Sequence, residues 1–281
     1  MHYNRPGLLN KIRYDSVIKY ALLFFLVLVI NYPLFWMTMS SLKDNREFFL
    51  IPGTFFPETF LWSNFRTAWN LAPWATYIRN SLVCAVVPML GQMVLGSLAA
   101  YAFTKTFKLN KLIFAIFLGI MMIPEQATYI PNYVIFKNLG WINTYLALVF
   151  PFLTGAFSVF LIRQYFLSVP KDYEDAAVID GAGPFYFLFR VLVPLSTPAL
   201  VTVALLTFNE RWNDYLYSLI MVTKDAMRTV QVGMAVFQSE ESTEWSLLMA
   251  ASTFVTIPVI VLFLFVQKRF IDGVMMTGIK G

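Results

Sequence analysis

Charged side chains divide the 281-residue chain into long apolar runs. The uncharged runs measure 23 residues from Tyr20 to Leu42, 25 from Asn80 to Thr104, 25 from Asn138 to Ile162, 19 from Val191 to Asn209 and 23 from Trp245 to Gln267. A helix crosses a hydrocarbon core with about 20 residues, so each run is a candidate span. Leu112 to Phe136 is a sixth: its apolar character is continuous although Glu125 splits it into uncharged runs of 13 and 11. The pattern predicts an all-α integral membrane protein with six transmembrane helices over about 20–42, 80–104, 112–136, 138–162, 191–222 and 245–267.

Composition agrees, with 58% hydrophobic and 13% charged residues against the roughly 25% charged residues of a soluble domain. Six spans use about half the chain, which leaves no segment long enough for a separate soluble catalytic domain. The single histidine is His2 and the single cysteine is Cys84. Zinc sites and Ser-His or Cys-His nucleophiles need placed imidazole or clustered thiols, so those chemistries are excluded from the folded body. Cys84 lies inside an apolar run with no disulfide partner and reads as a small buried hydrophobe. Gly181-Ala182-Gly183 lacks the spacing and the lysine of a phosphate-binding loop, so no ATP site is expected on this chain. The pI of 9.2 comes from bases scattered between the spans, not from a basic stripe, which argues against nucleic acid. No cofactor and no metal site are expected.

The bases instead set topology. With the amino terminus inside, 13 of the 21 Lys and Arg residues fall on the cytoplasmic side, densest in the turns Lys105 to Lys111 and Lys268 to Arg269. Cytoplasmic loops of membrane proteins carry such an excess. Residues 1–19 and the tail 271–281 are therefore expected in the cytoplasm, flanking a membrane domain over 20–270. The first apolar run follows basic residues as a secretory signal would, but it is 23 residues long and lacks a small-x-small cleavage pattern, so it is expected to stay as a membrane helix. Outside, residues 43–79 carry Pro52, Gly53, Pro57 and Pro73 and predict turns with one short helix. Residues 223–244, with Glu240, Glu241 and Glu244, read either as a solvated loop or as a docking surface.

The densest local signal is the cytoplasmic loop 168–194 between the fourth and fifth spans. It predicts a helix, a glycine break and a second helix. Pro170 suits a first helical turn, Asp172, Glu174 and Asp175 place negative charge at the positive end of the dipole, Gly181 stops the helix, and Pro184 starts the next. Tyr173, Ala176, Ala177 and Asp180 are spaced i, i+3, i+4, i+7 and share a face with two very small side chains at its centre. Such a face permits close approach to a groove on another protein. Asp180 either caps the second helix or pairs with a cation on that partner.

Here the chain resembles the permease subunits of binding-protein-dependent ABC importers. Their hallmark reads Glu-Ala-Ala, two variable residues, Asp-Gly-Ala and a later Pro; this sequence has Asp175-Ala176-Ala177, then Asp180-Gly181-Ala182 and Pro194. Asp175 stands where the family usually has Glu, and Glu174 completes an acidic pair. Asn80-Ser81-Leu82, Pro124 with Pro131-Asn132-Tyr133, Leu139 to Tyr145, Phe208 with Trp212-Asn213, and the ending Gly278 to Gly281 extend the likeness over most of the chain. It narrows to carbohydrate importers, in particular the maltose-transporter-like second permease subunit. The resemblance implies a second permease subunit, two ATPase subunits holding ATP and Mg, and an extracytoplasmic substrate-binding protein. It makes Tyr173, Glu174, Asp175, Ala176, Ala177, Asp180, Gly181 and Ala182 the contact with the ATPase, and the tail through Lys280 and Gly281 a second reach toward it.

Polar residues within or near the spans are the candidates for the solute path: Glu125, Asn209, Glu210, Arg211, Asn213 and Asp214. Ionisable groups at membrane depth are costly and usually mark a pathway or a cavity. Glu125 either faces the path or sits at the outer interface; Glu210, Arg211 and Asp214 read as a mutual brace before they read as sugar contacts. The different-class alternative to the importer is a stand-alone secondary carrier or channel, which would need its own gating or ion-coupling site.

Overall fold

A computed structural model describes residues 7–238 and 243–278. Among these the chain is helical, and extended backbone pairs only in an isolated bridge between Gln238 and Thr243. The α-helices of five or more residues are α1 (Gly7–Ser40), α2 (Ser63–Asn70), α3 (Trp74–Thr104), α4 (Asn110–Gly119), α5 (Tyr129–Asn138), α6 (Tyr145–Val149), α7 (Ala156–Ser168), α8 (Asp172–Ile179), α9 (Pro184–Leu195), α10 (Thr197–Trp212), α11 (Leu216–Met221) and α12 (Trp245–Gly278).

Four stretches are long and apolar enough to cross a bilayer: Ser16–Ser40, Trp74–Thr104, Tyr145–Ser168 and Trp245–Phe265. Two more arise if each bent pair is one span, Asn110–Met122 with Glu125–Asn138 at 91° and Pro184–Leu195 with Thr197–Trp212 at 78°. The helices depart from the uncharged runs in four places. α3 starts at Trp74, six residues before the run from Asn80, because Thr76 and Tyr77 already donate to the Pro73 carbonyl at 2.9 and 3.2 Å. The stretch 112–136 is broken at Pro124, which forces Ile123 into an extended conformation (φ −84°, ψ 119°). The start of 138–162 is a turn, with Gly140 and Asn143 left-handed at φ 70° and 63°. In 191–222 the helix enters earlier, at Pro184, bends at Ser196 and stops at Trp212. Charge marks where a helix meets water, not where its hydrogen bonding begins.

The described chain forms two compact units. The first holds the residues up to Leu71 with Phe237–Phe254. Its turn after α1 is tied by polar groups: Glu47 accepts from the amides of Asp44 and Glu58 at 3.1 and 3.2 Å, and Asn64 donates to the carbonyls of Ser41 and Lys43 at 2.9 and 2.8 Å. In α1 the side chains from Val17 to Phe35 are exposed all round, the pattern of a helix whose solvent is lipid or another apolar chain.

The second unit holds Ala72–Val236 and the described residues from Val255 onward. α3 is its axis and packs chiefly against α10 and α7. One apolar cluster gathers around Cys84 with Tyr129, Phe136, Leu148, Tyr217 and Met221, and the other around Ala100 with Ile162, Phe166, Leu188 and Leu192. Hydrocarbon gives little apolar driving force between helices, so close packing of small residues carries the association. Gly91 shows it: a Cβ there would lie 2.8 Å from the Leu153 carbonyl oxygen. Asn80 fastens the far end of α3, donating to the carbonyls of Ala226 and Arg228 at 3.0 and 2.9 Å and accepting from the Tyr145 hydroxyl at 2.6 Å. Asn143 does the same for the turn after α11, accepting from the amides of Thr223 and Lys224 at 2.7 and 2.8 Å.

Candidate functional site

α8 follows Pro170, and its first turn holds Asp172, Glu174 and Asp175, whose charge offsets the positive end of the helix. It ends on a glycine reversal: Gly181 has φ 73°, and the amides of Gly181 and Ala182 return to the carbonyls of Val178 and Ala177 at 3.0 and 2.8 Å. Gly183 then caps α9, with Pro184 at its first position. Asp180 therefore closes α8 and does not cap the second helix, which removes one of its two sequence readings. No residue of α8 is buried. Tyr173, Ala176, Ala177, Asp180, Gly181 and Ala182 line one open groove of about 520 Å³. Glu174 points elsewhere, to an ion pair with Lys105 just past α3, whose ammonium sits 4.4 Å from the centre of the Tyr101 ring. Partial burial alone would lower the Lys105 pKa; contact with Glu174 and Tyr101 outweighs it, and the net direction is upward.

A second site lies where α3, α7 and α10 meet the break at Pro124, around a cavity of about 480 Å³. Gln92 of α3 is its hub. Its side-chain oxygen accepts from the hydroxyls of Ser158 and of Thr207, the latter at 2.9 Å, and its nitrogen donates to the Phe152 carbonyl at 3.1 Å. Buried hydroxyls such as those of Ser158 and Thr207 cost free energy unless they are matched, and the half-buried Gln92 amide gathers its three partners from three segments. Beside it Arg211, with 6% of its side chain exposed, pairs with Glu210 at 2.6 Å and with Glu125 at 3.1 Å. Its guanidinium carbon lies 3.9 Å from the centre of the Phe152 ring.

The structure thus places Glu125 on the cavity wall and makes it part of the brace. Asp214 is not in that brace as expected; it accepts from the Ser218 hydroxyl at 2.7 Å and the amides of Tyr217 and Ser218 at 3.3 and 3.0 Å, and so starts α11. Asn209 and Asn213 do not line this cavity. They bond to each other, Asn213 donating to the Asn209 carbonyl at 2.8 Å, because their shared face of α10 is turned away from Thr207 and Arg211. Sequence reasoning missed Gln92, Ser158 and Thr207. The available signal was an uncharged polar side chain inside each apolar run, which is too common to single out. Lys280 and Gly281 lie outside the described residues.

Residues 92–275 match the family described as "Binding-protein-dependent transport system inner membrane component". The chain belongs to this family. A probable ABC transporter permease protein of Bacillus subtilis, YurM, is 34% identical over 269 residues, 93% of this chain and 88% of that protein. The trehalose/maltose transport system permease protein MalG of Thermococcus litoralis is 32% identical over 277 residues, 95% of this chain and 99% of that one. Among solved structures, a chain of a bacterial ABC transporter involved in the import of the acidic polysaccharide alginate aligns over 96% of this permease and 99% of its own length. The TM-score is 0.77 at 23% identity, so that likeness is one of fold. This permease is an integral membrane component of a binding-protein-dependent transport system.

Proposed function

We propose that the chain forms half of the translocation pathway of an ATP-driven importer for a carbohydrate. A second permease subunit completes the pathway, two ATPase subunits carry ATP and Mg on the cytoplasmic side, and an extracytoplasmic substrate-binding protein delivers the solute. Family membership supports the binding-protein-dependent mode, and the trehalose/maltose permease among its relatives supports the carbohydrate class. The count of bases supports cytoplasmic termini and a cytoplasmic loop 168–194.

The observation that carries the division of labour is α8. Eight residues without a single buried side chain gain little from this chain's own core, against which Ala177 alone of them is packed, and an isolated helix that short is marginal in water. Its small-residue face is suited to a partner's groove. Closure of two ATPase subunits on ATP would then move α8, and α9, joined to α10 through the bend at Ser196, would pass that motion to the cavity. The energy comes from differential binding of two states, with ATP hydrolysis on the partners and no bond chemistry here. The terminal tail through Lys280 and Gly281 belongs to the same cytoplasmic contact. A mild-detergent pull-down of the tagged chain tests the reading: a copurifying ATPase and second permease with ATP hydrolysis are expected, and a lone chain without ATPase activity would make it a stand-alone carrier.

A further inference from the structure

The cavity beside Arg211 carries an imbalance of charge. Among its described lining side chains Arg211 is the one cation, and Glu125 and Glu210 are the anions, so two carboxylates face one guanidinium and the wall is net negative by one. Glu210 keeps 57% of its side chain exposed and accepts from Arg211 at 2.6 Å. The guanidinium, which an anion would need, is already committed to two carboxylates and faces the Phe152 ring. One donor is left over. Arg211 Nη1 lies 3.1 Å from Glu125, close enough to pair by charge, yet it is buried and makes no hydrogen bond. Around it stand the uncharged donors and acceptors of Gln92, Thr128, Asn132 and Ser158. The volume of about 480 Å³ falls within the roughly 300–1,000 Å³ of small-molecule sites.

We propose that this cavity is a charge filter on the solute path, taking neutral polyhydroxy solutes such as sugars and polyols and repelling phosphorylated or carboxylated ones. A neutral sugar exchanges hydrogen bonds with the uncharged polar side chains of the wall, Gln92, Thr128 and Asn132, at no electrostatic cost. A phosphate or uronate brings negative charge to a wall whose one cation among the described lining residues is already paired with two carboxylates. The inference takes its meaning from the importer reading, and it narrows the carbohydrate to an uncharged one.

The test reads the charge of the cavity without needing the solute. In the assembled, membrane-reconstituted complex, with Cys84→Ala to remove the native thiol, Thr128→Cys places a reporter on the wall. Its modification rates by trimethylammonium-ethyl and sulfonatoethyl methanethiosulfonates are measured, each normalised to its rate with a free thiol. The cationic reagent is expected to react faster by about tenfold, as charged clefts concentrate counter-ions by 10-fold or more. Adding Glu125→Gln with Glu210→Gln, or Glu210→Gln alone if the double variant fails to assemble, is expected to collapse or reverse that ratio. Equal rates in the parent, a ratio that ignores the glutamates, or no labelling by either reagent would each overturn the proposal. A complex that hydrolyses ATP but labels without charge preference removes the filter and leaves the importer. Charge-selective labelling of a chain that binds no ATPase does the reverse.

Discussion

α8 has no buried residue, whereas Arg211 of α10 keeps only 6% of its side chain exposed. The two sites satisfy their polar groups differently. Around α8 the backbone bonds are local: the amides of Gly181 and Ala182 close on the helix they follow, and of the first-turn acids Glu174 reaches outward, to an exposed ion pair with Lys105. Around Arg211 and Gln92 all bonds but the Arg211–Glu210 pair span elements, joining α3 to α7, α10 and the segment after Pro124. A locally closed element can move as a unit against a partner. A polar network shared by several helices holds those helices in register.

The largest effect expected of breaking this contrast is at Arg211. Arg211→Met leaves Glu125 and Glu210 without their cation; removing one partner of a fully buried pair costs about 3–5 kcal/mol, and the 34% and 57% exposure of the two carboxylates puts the expected loss at the lower end. Thermal unfolding of the purified complex should show a large loss of stability, and Glu125→Gln added to Arg211→Met should recover part of it. A variant as stable as the parent would mean that the pair is solvated like a surface one. Gln92→Leu comes next. It leaves the hydroxyls of Ser158 and Thr207 and the Phe152 carbonyl without their common partner, and unsatisfied buried groups cost about 1–3 kcal/mol. Ser158→Ala and Thr207→Val added to Gln92→Leu should soften the loss, since an all-apolar junction strands fewer groups.

The same contrast explains what the sequence made legible. The loop 168–194 could be read because its determinants are neighbours in the chain: the acids, the i, i+3, i+4, i+7 face, Gly181 and Pro184 all act within one or two helical turns. The apolar runs were legible for a similar reason, since a span needs only length and the absence of charge. The cavity was not. Arg211 finds Glu210 next to it but Glu125 lies 86 positions away, and Gln92 meets Thr207 across 115. Asp214 is near Arg211 in sequence and so reads as part of the brace, but α10 ends before it and its carboxylate bonds to Tyr217 and Ser218 of α11 instead. Pro124 carried a readable sign of the break, because the residue before a proline is disfavoured in a helix; continuous apolarity outweighed it in the reading.

Gly181 separates conformational strain from steric fit. Its φ is 73° and no atom lies within 4 Å of a Cβ built there, so a side chain meets open space and only the backbone resists. Gly181→Val should destabilise the reversal by about 1–2 kcal/mol and reduce ATP-driven uptake while membrane insertion stays normal. Gly183 is also open but has an ordinary φ of −73°, so Gly183→Ala should leave uptake unchanged. Equal effects at both glycines would mean that the groove, and not the turn, is what matters. Normal uptake by Gly181→Val would remove the reversal from the coupling argument.

Lys105 and Glu174 supply the smallest effect on stability and the finest test of how α8 is held. Their side chains are 38% and 41% exposed, and pairs that exposed contribute only about 0.2–1 kcal/mol. Lys105→Met should therefore leave the melting temperature nearly unchanged. Its consequence should appear in transport instead, because this ion pair is a tether between α8 and the end of α3. ATP hydrolysis is expected to continue with less solute moved per ATP. The exchanged pair Lys105→Glu with Glu174→Lys should recover much of the coupling, and high salt should weaken the parent more than Lys105→Met, because screening acts on exposed charges. If Lys105→Met keeps full coupling, motion reaches the membrane helices through the backbone at the two ends of α8, by Pro170 to α7 and by Gly181 to α9, and the ion pair adds nothing to it.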